Sequence, residues 1–479
     1  MQGIWTTVHI RTAEERLLAA TPEGALMQRA SFGLAVQAAD LLAQHTGRVA
    51  AGRVVLLVGA GNNGGDALWA GSFLRKRGVG VTAVLLNPER AHAEGLAALR
   101  RAGGRVAADP QRALENADLV IDGIVGLSAH GPLRDNAAEL LPYLSAPVLA
   151  VDLPSGVDPD NGTVPGAAIT ATRTVTFGAR KPVHVLNPER CGEVVLVDIG
   201  LGPELGEPDL RQLDAVDVGV AWPVPGPDDD KYSQGVAGIA AGSATYPGAA
   251  VLATGSAVLA TSGMVRYAGP AADVVRSRWP EVVATGSVTD AGRVQAWVVG
   301  PGIGTGQEGR SVLRHVLAEG VPVCADADAT TLMARYPDVL DARDPGTPLV
   351  LTPHAGEFER LMGAAPGEDR VSAVREAARK YDAVVLLKGN TTLVAAPDGR
   401  VLANVARGSW LATAGSGDVL SGLVGALLAS GMEPWLAAGA AAYVHSLAAD
   451  LGARGVPVSA SGVQGAIPEA IRRLRSLEQ

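Results

Sequence analysis

The sequence predicts an α/β protein of two domains, and three observations carry that expectation. A chain of 479 residues exceeds the size at which one hydrophobic core stops growing, so two cores are expected. Apolar runs of strand length alternate along it with helical patterns, the signature of βαβ units that close parallel sheets. Between the halves, AWPVPGPDDD at 221–230 combines prolines, a glycine and an acidic run with no apolar period, which reads as a linker. The boundary is therefore expected at 222/223, separating residues 1–222 from 223–479.

Composition supports ordered layers: 47% hydrophobic residues and 60 glycines against 4% aromatic and 19% charged fit Ala/Val/Leu-rich elements joined by tight turns. A net charge of −9 without a basic run argues against nucleic acid or an anionic membrane as partner and favours small molecules. The N-terminus lacks the apolar core of a secretory signal, and no stretch approaches the roughly 20 apolar residues of a membrane span. Cys191 and Cys324 form neither a C-x-x-C pair nor a disulfide framework, so a reducing, cytoplasmic location is expected. Lysine is scarce, five against 35 arginines. Lys231 and Lys388 both fall in motif-like segments, and surface solubility is the competing reading of each.

Taken in order, residues 12–45 show apolar positions at helical spacing interrupted by Pro22 and Gly24, which predicts two helices, with Thr12 and Glu15 fitting a capping box. VVLLVG at 54–59, VTAVLL at 81–86, ADLVIDGIVG at 117–126 and PVLAVDL at 147–153 are the strand candidates of the first half. WVVGPG at 297–302, PVCADA at 322–327, LVLTPH at 349–354 and AVVLLKG at 383–389 are those of the second. The halves share an architecture without a repeat of sequence, so two different domains are expected rather than a duplication.

The loop after the first strand is GAGNNGGD at 59–66. Gly59, Gly61 and Gly64 satisfy G-x-G-x-x-G, but a dinucleotide fingerprint also needs an acidic residue at the end of the next strand, about 20 residues on. That strand ends in Asn87-Pro88, which weakens the dehydrogenase reading. Asn62, Asn63 and Asp66 instead project from a strand-to-helix turn whose N–H groups favour an anionic ligand. Asp66 is either a helix cap or an acid/base beside the bound group. Asp122, Asp152 and Ser155 sit at strand ends, where ligands of open α/β sheets bind. With Asn63, Asp122 and Ser155 offer amide, carboxylate and hydroxyl oxygens suited to a hard cation, though each singly reads as a turn residue.

GNNGGD, the aspartate strand after it and DLPSGVD at 152–158 resemble the NAD(P)H-hydrate epimerase family over most of residues 1–215. The resemblance implies a Rossmann-like three-layer domain that interconverts the R and S epimers of NADH or NADPH hydrated on the nicotinamide ring, with a potassium ion in the site. Carried over by position, it implies that Asn62, Asn63, Gly64, Gly65 and Asp66 contact substrate, with Gly126, Leu127, Ser128, Ala129, His130, Gly131, Pro132 and Asp152. Asp66 is the implied catalytic group, and Asn63, Asp122 and Ser155 are the implied potassium ligands. Two positions depart from the family pattern: Ala67 replaces a glycine, and Val125-Gly126-Leu127-Ser128-Ala129 replaces F-G-T-G-L.

In the second half, GSWLATAGSGDVLSGLVGALLASG at 408–431 sets a glycine turn before a long helix, with Asp418 at its beginning. N–H groups there stabilise phosphoryl charge, and an adjacent carboxylate can take a proton from an attacking hydroxyl. VVLLKGNTTLVAAPDG at 384–399 reads as strand, turn and strand, from which Lys388, Gly389, Thr391 and Thr392 can grip phosphate or ribose, or form only a hairpin turn. His354, at a strand end before a helix with Glu357 and Glu359, is equally a structural residue or a ligand contact. With DDDKYSQG, AGSATYPGAA and VVGPGIGTG, these segments resemble the ADP-dependent NAD(P)H-hydrate dehydratase family over about 225–475.

That resemblance implies a ribokinase-like α/β domain in which Asp418 deprotonates the ring hydroxyl of the S epimer. The oxygen attacks the terminal phosphate of ADP, and the phosphorylated hydrate eliminates phosphate, leaving NAD(P)H and AMP. By the same carry-over, Ala250, Gly304, His354 and Asp418 contact the hydrate, while Lys388, Gly389, Asn390, Thr391, Thr392 and Gly417 hold ADP. Magnesium on the ADP is expected from phosphoryl chemistry. The implied assembly is a homo-oligomer. Two rival readings stand beside these. One is a ribokinase-like kinase of a vitamin alcohol such as hydroxyethylthiazole. The other is a non-catalytic binding module for the first half, resting on Ala67 and the 125–129 loop.

Overall fold

The computed structural model describes residues 1–127, 131–261 and 263–477. The chain divides into two compact α/β units, Gly3–Leu210 and Arg211–Gln479 with Met1–Gln2.

In the first unit the strand Arg53–Val58 is apolar at five of its six positions and buried at those five, as a strand covered on both faces must be. It pairs in parallel with Gly80–Leu85 on one side and Leu119–Gly123 on the other. The sheet runs Arg105–Val106, Gly80–Leu85, Arg53–Val58, Leu119–Gly123, Val148–Val151, Arg173–Phe177, Glu193–Val197. The chain thus moves outward in one direction from Arg53–Val58 and then returns to its other side. The carboxyl ends of Arg53–Val58 and Leu119–Gly123 flank the switch point where a crevice opens. The helix Asn62–Lys76 starts there, and its Leu68, Ala70 and Leu74 pack into the same core as Val54, Leu56 and Val58. The two expected N-terminal helices are Thr7–Ala19 and Ala25–Thr46. The expected capping box is absent, because the helix begins at Thr7, well before the Ala13 that the pattern needs, and the Thr12 hydroxyl donates back to Val8 O at 3.0 Å inside it.

The second unit's sheet has the parallel run Leu349–Leu351, Val323–Ala325, Ala296–Val299, Val236–Ala240, Met264–Ala268, Val283–Thr285. Val384–Leu387 joins it in parallel, and the antiparallel strands Thr391–Ala395 and Val401–Val405 extend that side. Its switch point lies between Val236–Ala240 and Ala296–Val299. The helix Ser416–Ala429 runs against the middle of this sheet and against Pro247–Ala260. Glycine makes that approach possible: a Cβ at Gly422 would stand 2.1 Å from Ala253 O, and one at Gly425 would stand 2.1 Å from Val298 Cγ2.

The division at Leu210–Arg211 lies ahead of the linker-based expectation at 222/223. Residues 211–222 belong to the second unit because the helix Ala215–Ala221 buries Val218 in that unit's core, and Trp222 follows it in, donating from Nε1 to Ala260 O at 3.0 Å. Each such buried apolar side chain contributes about 1.5–3 kcal/mol. The Pro/Asp-rich segment that follows is an exposed loop within the unit, held by local bonds in which Ser233 donates from its amide to Asp230 and from its hydroxyl to Asp229.

Candidate functional site

The first unit holds an open cavity of about 930 Å³ at its switch point. Asn62, Asn63 and Asp66, from the first turns of Asn62–Lys76, line it. Gly126, Leu127, Gly131, Pro132 and Asp152 line the other parts. Ser128, Ala129 and His130 lie outside the described residues. Gly64 and Gly65 are buried in the helix's first turn instead of on the cavity wall, where a Cβ at Gly64 would stand 2.4 Å from Gly59 O. Asp122 and Ser155 are completely buried behind the turn.

Those two residues form one hydrogen-bonded group. Ser155 donates from Oγ to Asp122 Oδ1 at 2.7 Å and from its amide to Oδ2 at 2.9 Å, and the Ile124 amide donates to Oδ1 at 3.2 Å. Even so, burial pushes the Asp122 carboxyl up to about 6, since three donors do not replace the hydration of a fully buried charge. Asn63 spends both amide protons on Val125 O at 2.9 Å and Val151 O at 2.6 Å, which leaves its Oδ1 toward Gly126. A Cβ at Gly126 would stand 2.6 Å from that oxygen, so a side chain there would displace it.

Asp66 is 6% exposed, and its side-chain partner among the described residues is the Ser31 hydroxyl, at 3.0 Å. Burial drives its carboxyl up to about 8, with Asp152 and Glu14 adding repulsion. It is a protonated acid at neutral pH. Asp152 is treated differently: it ion-pairs with Lys181, itself 1% exposed, and accepts from Thr176 Oγ1 at 3.0 Å. Its backbone φ is +70°, a strained conformation for a non-glycine residue that turns the side chain off the strand end. Sequence reasoning overlooked Glu14 and Lys181. Glu14 lines the cavity four residues after the buried Ile10, and a charge on the apolar face of a helix was the available signal. Ala67 is fully buried against Gly123, where a Cβ would stand 2.8 Å from its own. It therefore faces the sheet and is no part of the cavity wall.

In the second unit the carboxyl edge of the sheet brings two strand ends and one helix together. Asp326 follows Val323–Ala325, Lys388 follows Val384–Leu387, and Asp418 occupies the first turn of Ser416–Ala429. Lys388 donates to Asp326 Oδ1 at 2.8 Å and stands 3.7 Å from Glu357 Oε2. Burial pushes the Asp418 carboxyl up to about 6, Asp326 adds to the rise, and Lys388 opposes it. Burial lowers the proton affinity of Lys388, yet Asp326 and Glu357 more than offset it, so the ammonium is held. A Cβ on Gly417 would stand 3.4 Å from Lys388 Nζ, which places that glycine turn directly against the cation.

The Gly304 amide donates to Asp328 Oδ2 at 2.8 Å in a turn with φ +83°. His354 is the N-cap of Ala355–Met362: its Nδ1 accepts from the amides of Gly356 at 3.0 Å and Glu357 at 3.4 Å. This leaves Nε2 3.4 Å from Glu357 Oε1, on a side chain that remains half exposed. Ala250 is fully buried in Pro247–Ala260, its methyl beside Gly242. Gly389 and Asn390 form the exposed turn between Val384–Leu387 and Thr391–Ala395, with Thr391 buried and Thr392 donating to Gly389 O at 3.4 Å. Lys231 is on the surface, its ammonium 5.2 Å from the Tyr232 ring centre. Asp326, Asp328, Glu357 and Ser421 were not singled out as site residues from sequence. The two aspartates of ADAD at a strand end were the signal.

Two α/β units, each with an aspartate of raised proton affinity in the first turns of a helix at the carboxyl edge of its sheet, define an enzyme with two nucleotide-type sites. Residues 23–183 match the family model described as YjeF-related protein N-terminus, and residues 237–461 match NAD(P)H-hydrate dehydratase. The Mycobacterium tuberculosis bifunctional NAD(P)H-hydrate repair enzyme Nnr is 55% identical over 435 residues, 90% of each chain. Its Mycobacterium leprae counterpart is 53% identical over 482 residues, 99% of this chain and all of that one. The solved ADP/ATP-dependent NAD(P)H-hydrate dehydratase of Bacillus subtilis, co-crystallised with ATP and Mg2+, superposes with a TM-score of 0.50 at 27% identity. It covers 55% of this chain and 99% of its own. The chain belongs to the family of bifunctional NAD(P)H-hydrate repair enzymes, with an epimerase domain and a dehydratase domain.

Proposed function

We propose that the second unit dehydrates S-NAD(P)HX at the expense of ADP, with Asp418 as the base, and that the first unit epimerises the R form through Asp66. The observation that carries the reading is Asp418: a carboxylate in the first turn of Ser416–Ala429, with proton affinity raised to about 6 and a lysine opposite. Such a group is mostly ionised at neutral pH yet basic enough to accept a proton from an attacking hydroxyl. Lys388 and the N–H groups of the Gly415–Gly417 turn are suited to the ADP phosphates, and Gly389, Asn390, Thr391 and Thr392 to the rest of the nucleotide. Gly304, His354 and Ala250 are assigned to the hydrate. The hydroxyl oxygen of the hydrate bonds to the terminal phosphorus as its proton passes to Asp418 and AMP departs; the ring C–O bond then breaks to release phosphate while the adjacent ring carbon gives up a proton, restoring reduced nicotinamide. Magnesium, bound with the nucleotide, would neutralise phosphate charge.

In the first unit Asp66 holds a proton at neutral pH and is suited to protonate or deprotonate the hydrated ring, with Asn62, Asp152 and the Gly126–Pro132 segment around it. Asn63 Oδ1, Asp122 and the Ser155 hydroxyl fit a potassium ion: they are hard oxygen donors, and a cation offsets the buried charge of Asp122. Such an ion supplies electrostatic support for the turn and for an anionic group. A cytoplasmic homo-oligomer completes the reading, and the free, buried Cys191 and Cys324 accord with a reducing compartment.

Incubating the protein with mixed NADHX epimers and ADP, while following reduced nicotinamide and free phosphate, tests both halves together. Complete conversion is expected. A halt after the S fraction would remove the epimerase assignment, and a stable phosphorylated product without reduced nicotinamide would favour the vitamin-alcohol kinase reading.

A further inference from the structure

One charged group at the second site has no part in the reading above. Asp326 is 1% exposed, and its two oxygens serve two different elements. Oδ1 accepts from Lys388 Nζ at 2.8 Å, and Oδ2 accepts from Ser421 Oγ at 2.7 Å. Lys388 comes from the end of Val384–Leu387, whereas Ser421 lies one turn beyond Asp418 on Ser416–Ala429. The carboxylate therefore ties a strand end to a helix. The backbone around it is built for that job. Ala327, the next residue, has φ +50° and ψ −113°, a conformation that survives only where surrounding structure enforces it. A Cβ at Gly300 would stand 1.9 Å from Asp326 O, so only glycine lets the neighbouring strand end come this close. A Cβ at Gly417 would stand 3.6 Å from Asp326 Oδ2, which puts the carboxylate beside the helix's first turn.

We propose that Asp326 is a positioning residue for the dehydration: it clamps the Lys388 ammonium to the helix that carries Asp418, fixing the separation between the phosphate-binding cation and the base. The inference rests on the dehydratase reading. An unclamped lysine would still attract phosphate, and would do so more strongly without a competing carboxylate, but it would sample several rotamers. Misplacement of this kind lowers turnover more than binding. Asp326 also faces Asp418 as a like charge, alongside Asp328 and Glu357 and against Lys388.

Asp326→Asn separates these effects from simple structural support. Its amide can accept from Lys388 and donate to Ser421, whose own proton then goes to Gly417 O, 2.9 Å away. The expected result is a folded protein with kcat down about ten- to a hundredfold and a KM for ADP unchanged or lower. The acid limb of its dehydration pH profile should move to lower pH, because one repelling charge beside Asp418 is gone. Wild-type kcat with an unmoved acid limb would overturn the proposal, as would a kcat loss matched by loss of folded protein with the limb in place. If Asp326→Asn does not fold, Ser421→Ala, which cuts only the helix side of the clamp, decides: reduced kcat at unchanged KM sustains it, and wild-type kcat overturns it. Near-wild-type turnover in Asp418→Asn would sink the underlying dehydratase reading and not this clamp alone, so the two failures are distinguishable.

Discussion

The two switch points use the same materials and reach opposite charge states. Each sets an aspartate into the first turns of a helix at the carboxyl edge of a parallel sheet, where burial raises its proton affinity. At the first site Asp66 has a serine hydroxyl for a partner and two further carboxylates, Asp152 and Glu14, for neighbours, and it is pushed up to about 8. At the second, burial is again the largest cause, Asp326 adds to it and Lys388 opposes it, and Asp418 stops at about 6. The lysine of the first site, Lys181, is committed to Asp152. Deeper burial and the neighbouring carboxylates thus favour the proton on Asp66, while Asp418, partly exposed and facing Lys388, gives it up more readily. One fold grammar therefore yields an acid in one unit and a base in the other, the separation of proton affinities that paired acid/base chemistry exploits.

Removing either carboxyl breaks the comparison most sharply. Asp418→Asn should lower dehydration by about 10²–10⁴-fold, the usual contribution of a general base, without changing the epimerisation rate. Asp66→Asn should do the reverse. Recovery of reduced nicotinamide from S-NADHX with ADP, and interconversion of the purified epimers without ADP, read the two separately.

A smaller effect concerns stability. Because Asp66 binds its proton more tightly folded than unfolded, its contribution is complete below the unfolded value of 3.8 and is lost as pH rises to about 8. Over that window wild-type stability falls by at most about 1.4 kcal/mol per pH unit from this group. Asp66→Asn lacks the term, so its stability relative to wild type should increase with pH in urea titrations. A constant difference from pH 5 to 8 would mean that Asp66 is ionised in the folded protein. The smallest effect is expected of Ala67→Gly, which restores the family glycine. The Ala67 methyl packs on Gly123 and not on the cavity, so the epimerisation rate should remain within about twofold and stability should fall by about 0.5–1 kcal/mol. A large gain in epimerisation would show that Ala67 had impaired the site.

Much of this was legible in sequence. Strands at 54–59, 117–126, 147–153 and 383–389 were visible because their apolar runs are continuous, as fully buried strands require. Others were hidden by local chemistry. Val236–Ala240 was not among the strand candidates: Gly238 interrupts its apolar run, and is small so that the Trp297 indole can lie over it, where a Cβ would stand 2.5 Å from the ring. Arg173–Phe177 opens with a buried arginine that Asp40 and Glu193 neutralise from distant elements, a pairing no local pattern reveals. The motif residues Asn63, Asp66, Lys388 and Asp418 stood out by their glycine context. Asp326, Glu14 and Lys181 did not, since their significance lies in contacts made 15 or more residues away along the chain.

The most direct test is to measure both half-reactions on one preparation across pH 5 to 9. Dehydration should lose activity below about pH 6, as Asp418 takes up a proton, and epimerisation should lose activity above about pH 8, as Asp66 gives one up. Two profiles with the same limbs would contradict the assignment of opposite charge states to the two aspartates.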